Sequence, residues 1–194
     1  MRYLWLAALL FAVPAQAGLF NPLSTVTDVV EAAAEDRSTS DIATDAKLKA
    51  KIVAAVADAL GKDAVSVTTD VYEQDVMLTG TAKTADIKAK AAATVKTVAG
   101  VRKILNELML PTAADKGMVK GFVDDTVIEK KVEANLVSAK GVSHTNWRWH
   151  SVNGTVFLFG RSLSKAESTK VEQLVKSIDN VVGVVDRAKV KPKG

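Results

Sequence analysis

The sequence predicts an α+β protein built from two tandem αββαβ modules, each a three-stranded sheet with two helices on one face. Three observations predict it. The chain repeats itself without a gap at a shift of 80 residues, alternating apolar runs come in pairs joined by two residues, and helix signals flank each pair. Under the shift Asp45 falls on Asp125, Lys51 on Lys131, Gly61 on Gly141, Val76 on Val156, Leu78 on Leu158, Gly80 on Gly160, Val95 on Val175 and Val101 on Val181. Conservative pairs such as Leu48/Ile128, Ile52/Val132, Thr84/Ser164 and Ile104/Val184 hold the same register.

Each copy reads alike. Asp45 and Asp125 stand where a helix N-cap belongs. Leu48, Ile52 and Val56 then follow at helical spacing, as do Ile128, Val132 and Leu136, before Gly61 and Gly141 end the helix. Two strands are expected at 65–72 and 75–80, and again at 145–152 and 155–160, linked by Glu73-Gln74 and Asn153-Gly154. Asn-Gly is the strongest short signal for a type I′ hairpin turn. Thr84 and Ser164 can cap a second helix running to about residues 98 and 178. Gly100 and Asn180 come next, both residue types that tolerate the left-handed conformation after a helix. A last strand is expected at 103–110 and 183–190.

A two-residue turn at Asn153-Gly154 would pair Val152 with Thr155, Ser151 with Val156, His150 with Phe157, Trp149 with Leu158 and Arg148 with Phe159. Residues opposite each other share a face. Trp147, Trp149, Val156 and Leu158 then line one face, matched by Val67, Val71, Val76 and Leu78 in copy one; this is the face expected under the helices. The other face carries Asn146, Arg148, His150, Phe157 and Phe159, against Asp70, Tyr72, Met77 and Thr79 in copy one. With helices on one side only, Phe157 and Phe159 need a cover, either the other module or an external partner.

The flanks divide the chain further. Residues 1–17 read as a signal peptide: Arg2, the apolar run Leu4 to Val13, and Pro14-Ala15-Gln16-Ala17 with cleavage expected after Ala17. That run is too short for a bilayer span, which takes roughly 20 residues. Residues 18–40 read as a spacer in which Leu23, Val26, Val29 and Val30 carry a short helical spacing, with 36–41 as the loop into module one. Module one is expected at 41–110, an exposed linker at 111–121 and module two at 122–191.

Composition narrows the chemistry. With no Cys, the chain has no disulfide, thiolate metal site, Cys nucleophile or lipid-modified Cys. The net charge of +4 is modest for a nucleic-acid binder, and none is expected as a partner. Its distribution is uneven: residues 18–39 carry a net −3, 40–110 a net +1 and 111–194 a net +5. An anionic partner should therefore prefer the second half. The two histidines, His144 and His150, are six residues apart on one predicted strand, about 20 Å and too far to share a metal. Neither a nucleophile–His–acid pattern nor a phosphate loop is present, and no cofactor is expected.

The chain resembles the two-domain periplasmic form of the BON-domain family. The resemblance rests on the helix with Asp45 and Lys51, on Val76-x-Leu78-x-Gly80, and on Gly100-Val101-x-x-Ile104-x-Asn106-x-Leu108. Copy two repeats it with Val156-x-Leu158-x-Gly160 and Val181-x-x-Val184-x-Asp186. Asp36-Arg37-Ser38 is also similar to the segment before module one in the family's lipoprotein branch. The resemblance implies a non-enzymatic envelope protein that binds phospholipid surfaces, supports outer-membrane integrity and answers osmotic stress. In the lipoprotein branch the first helix of module two engages anionic lipid, which corresponds here to about 126–139. This chain departs in two ways. It lacks the lipidation Cys, so a soluble periplasmic protein is expected, and Val127 stands where that branch can carry an aromatic residue.

Candidate binding residues are therefore Val127, Lys130 and Lys131 on the helix, and Arg148, His150, Phe157 and Phe159 on the outer sheet face. The expected partner is an anionic phospholipid surface. The alternative is a protein adaptor or chaperone-like role through the sheet face of module two.

Overall fold

The structure, a computed structural model, describes residues 35–111 and 120–192. The expected signal peptide, the spacer up to residue 34 and the connector over 112–119 lie outside the described residues. Module one comprises α1 (Thr39–Leu60), β1 (Val67–Tyr72), β2 (Asp75–Gly80), α2 (Ala85–Lys96) and β3 (Lys103–Asn106). Module two comprises α3 (Lys120–Ser138), β4 (Trp147–Val152), β5 (Thr155–Ser162), α4 (Lys165–Lys176), β6 (Gly183–Asp186) and β7 (Lys189–Val190).

Each sheet is centred on its second strand. β2 pairs antiparallel with β1 and parallel with β3; β5 pairs antiparallel with β4 and parallel with β6 and β7. The predicted β4–β5 register is the one observed, from Val152 opposite Thr155 to Arg148 opposite Phe159. Both hairpin turns have the left-handed dihedrals of type I′, with φ of 49° and 59° at Glu73 and Gln74 and of 52° and 76° at Asn153 and Gly154. Gly160 is held at φ 109°, where a Cβ would come within 2.1 Å of the Asn146 carbonyl oxygen, so the strand crossing there admits no side chain.

Thr84 and Ser164 cap α2 and α4 as predicted, accepting from Ile87 N–H at 3.2 Å and Glu167 N–H at 3.1 Å. Gly100 and Asn180 are left-handed, but three residues past caps at Thr97 and Ser177. β1, β4 and the last strand of each module are shorter than predicted, whereas β2 has the predicted range and β5 runs two residues further. Residues 61–66 and 144–146 form 3-10 turns, which moves His144 off the strand. The last strand breaks after Asn106 and after Asp186; in module two it resumes as β7, giving that sheet four strands rather than three.

Two further corrections concern helix starts. α1 begins at Thr39, where Ser38 accepts the Asp41 N–H at 3.1 Å, so 36–41 is not a free loop. α3 begins at Lys120, inside the expected linker. Asp45 and Asp125 therefore lie within their helices, not at the caps.

The apolar faces fall as predicted. Leu48, Ile52 and Val56 of α1 and Ala91 and Val95 of α2 pack on Val71, Val76 and Leu78. In module two Ile128, Val132, Leu136, Val171 and Val175 pack on Trp147, Val156 and Leu158. A third core lies between the modules: Tyr72 and Met77 meet Val152, Phe157 and Phe159, with Leu105, Met109 and Val185 around them. The two sheets thus bury their helix-free faces on each other. Phe157 and Phe159 are 4% and 2% exposed: of the two covers expected for this face, the other module supplies it, and the face is not open to an external partner. The reason is economy of apolar area, since each small module alone would leave this face in water.

Candidate functional site

The joint between the modules is sealed by charge as well as by apolar area. Asp45 on α1 accepts both backbone N–H groups of the Glu73-Gln74 hairpin, at 2.7 and 2.9 Å. The same carboxylate pairs with Arg37, whose guanidinium lies 3.9 Å from the Tyr72 ring centroid and also binds Glu35. Burial alone would lower the Arg37 pKa; the Glu35 hydrogen bond and charge, with Tyr72 and Asp45, overcome it and hold it above its ordinary value. Burial pushes the Tyr72 hydroxyl up, so the ring stays neutral beneath the guanidinium.

The segment before α1 bridges to module two. Asp36 and Asn146 exchange two hydrogen bonds at 3.0 Å, and Glu35 pairs with Arg148. Arg161, 5% exposed, donates to the carbonyls of Asp36, Lys191 and Pro192 at 2.9, 2.9 and 2.6 Å. Module two then reaches back: Lys189 pairs with Asp75 at 2.7 Å, Lys191 with Glu73 at 3.1 Å and Arg187 with Glu107 at 2.7 Å. Part of the basic excess of the second half is thus spent on module one.

Among the sheet-face candidates, Phe157 and Phe159 are core, and Arg148 is held by Glu35 and by the Thr145 and Trp147 carbonyls. His150 sits at the joint, its Nδ1 2.6 Å from Glu129 and its Nε2 3.2 Å from the Thr68 hydroxyl. Glu35, Arg37 and Arg161 were missed by sequence reasoning. Only the Asp36-Arg37-Ser38 likeness hinted at them.

The helix candidates lie elsewhere. On α3, Ile128, Val132 and Leu136 point into the core. Val127, Lys130, Lys131, Ala134 and Val137 share the opposite, exposed face by their spacing of three and four residues. Val127 and Val137 are 47% and 57% exposed. Lys131 reaches Asp179 at 3.1 Å, a solvent-exposed pair that restrains it little. Two branched apolar residues thus flank two lysines on one ridge. The matching positions of α1 are Lys47, Ala50, Lys51, Ala54 and Ala57, without that apolar pair. The structure keeps the helix and sheet candidates on separate surfaces.

The BON-domain model matches this chain twice, over residues 44–110 and 124–192. The chain belongs to the BON-domain family. The chain is also similar to two relatives. This BON-domain protein is 26% identical over 147 residues to osmotically-inducible protein Y of Escherichia coli strain K12, covering 76% of this chain and 73% of the relative. It is 28% identical over 126 residues to an uncharacterized protein in the gshII 5' region of Anaplasma centrale, covering 65% of this chain and 82% of the relative. Two solved structures of CdsD, a structural protein of the type III secretion system of Chlamydia trachomatis, align over 73% of the chain at 11% and 10% identity, each with a TM-score of 0.32. No helix among the described residues is long and apolar enough to cross a membrane. Among the same residues no group of three or more His, Asp or Glu side chains could hold a metal.

Proposed function

We propose that this BON-domain protein is a non-enzymatic, exported envelope protein that binds anionic phospholipid surfaces through the exposed face of α3. The observation that carries the reading is the Val127–Lys130–Lys131–Ala134–Val137 ridge, apolar and basic together on the helix of module two. Such a face can lay its valines at the headgroup boundary while its ammonium groups meet lipid phosphates. The likeness to an osmotically inducible protein supports a role in osmotic stress, and the leader-like residues 1–17 support a periplasmic location. Outer-membrane integrity is the physiological end this reading serves. The competing adaptor role loses its surface, because the sheet face it needs is buried between the modules.

Vesicle co-sedimentation tests it. The protein should pellet with phosphatidylglycerol vesicles and far less with phosphatidylcholine vesicles, and salt should release it. Each basic group near an anionic leaflet contributes about 1 kcal/mol, so Lys130→Ala with Lys131→Ala should weaken binding roughly 30-fold. Equal, negligible pelleting with both lipids would sink the reading.

A further inference from the structure

We propose that His150 is a pH-operated clasp between the two modules, one that tightens as the medium acidifies. The imidazole stands on β4, on the sheet face that meets module one, with its side chain 27% exposed. Its Nδ1 lies 2.6 Å from Glu129 Oε1 on α3, and its Nε2 lies 3.2 Å from Thr68 Oγ1 on β1 of the other module. Glu129 is itself fixed by the Ser151 N–H at 2.8 Å.

These contacts accept either protonation state. The neutral ring donates from Nδ1 to the Glu129 carboxylate and accepts the Thr68 hydroxyl proton at Nε2. The charged ring donates at both nitrogens, and the Thr68 hydroxyl turns to accept. Both ring nitrogens keep a partner in either state, so the change with pH is one of charge at the ring.

The charges that face the ring decide its sign. From α3 come Glu129 and Asp125, and from β1 of module one comes Asp70. The nearby cations have carboxylate partners of their own: Lys49 pairs with Asp70 at 3.4 Å, and Lys83 pairs with Asp63. On the paired strand β5 the residue opposite is the apolar Phe157. Burial would lower the His150 pKa; the Glu129 hydrogen bond and charge, followed by Asp70 and Asp125, outweigh it and raise it. A raised folded-state pKa means that the folded, docked protein binds the proton more tightly than the unfolded chain. The added stability is therefore complete below the ordinary histidine value of about 6.5 and is lost as pH rises through the folded-state value. At the acid end it persists while Glu129 stays ionised. Burial alone would raise that carboxyl, but the His150 hydrogen bond and the Ser151 N–H hold it below its ordinary value. One of the three carboxylates belongs to the other module, so protonation acts across the joint.

An NMR titration of the His150 ring in the full chain tests the clasp, the resonance being assigned by its loss in His150→Gln. The expected midpoint is above about 6.5. Asp70→Asn, a change in the other module, should lower that midpoint, and Glu129→Gln should lower it further. The thermal midpoint of the wild type should also exceed that of His150→Gln by more at about pH 5.5 than at about pH 8.5. A wild-type ring titrating at or below the ordinary value overturns the proposal, as does an Asp70→Asn midpoint equal to the wild type's. The melting comparison needs neither carboxylate variant, and a difference independent of pH would overturn the proposal as well.

Discussion

Asp45→Ala is expected to cost about 3–5 kcal/mol of stability, the scale for removing one partner of a buried ion pair. For a chain of this length that is a fall of roughly 6–20 °C in thermal midpoint, read by calorimetry. A helix N-cap would cost only about 1 kcal/mol, so the size of the effect separates the two roles. The larger cost has three sources. Arg37 would stay buried with Glu35 alone, and the N–H groups of Glu73 and Gln74 would lose their acceptor. The turn would also lose its restraint, and Glu73-Gln74 needs one: both residues sit at positive φ without being Gly or Asn. Asp125→Ala should cost less. Asp125 accepts the Asn153 and Gly154 N–H groups at 2.7 and 2.8 Å, but Asn-Gly favours the type I′ turn by itself.

Phe159→Ala should be comparably severe, about 3–5 kcal/mol for a buried aromatic ring. Phe159 belongs to the core between the sheets and not to the core beneath α3 and α4. The loss should therefore weaken docking of the modules. Urea denaturation should show the midpoint falling by about 1–3 M. A change below about 0.5 kcal/mol, the range of ordinary surface substitutions, would mean that the sheet face is open after all.

What the sequence disclosed was local or periodic. The β4–β5 register followed from Asn153-Gly154 and the period-two alternation, and the caps at Thr84 and Ser164 from residue type and spacing. The duplicated core faces followed from apolar residues recurring in both copies. What stayed hidden was long range. Nothing near Arg161 in sequence shows that it gathers the carbonyls of Asp36, Lys191 and Pro192. The N-cap reading of Asp45 and Asp125 failed because an acid near a helix start satisfies two roles equally on paper. Only the hairpin folding beneath each helix reveals which N–H groups it serves. Phe157 and Phe159 were recognised as needing a cover, and the fold supplies it from module one. The α3 ridge was legible as residues, yet its separation from the sheet candidates needed the structure.

The central claim is that the modules close their sheets on each other and leave α3 of module two to meet the membrane. Hydrogen exchange of the full chain, free and on phosphatidylglycerol vesicles, tests it most directly. Exchange should slow on the vesicles over residues 126–138 of α3, while β4 and β5 stay slow in both states and α1 stays unchanged. Vesicle protection centred on α1, or rapid exchange of β4 and β5 in the free protein, would contradict the account.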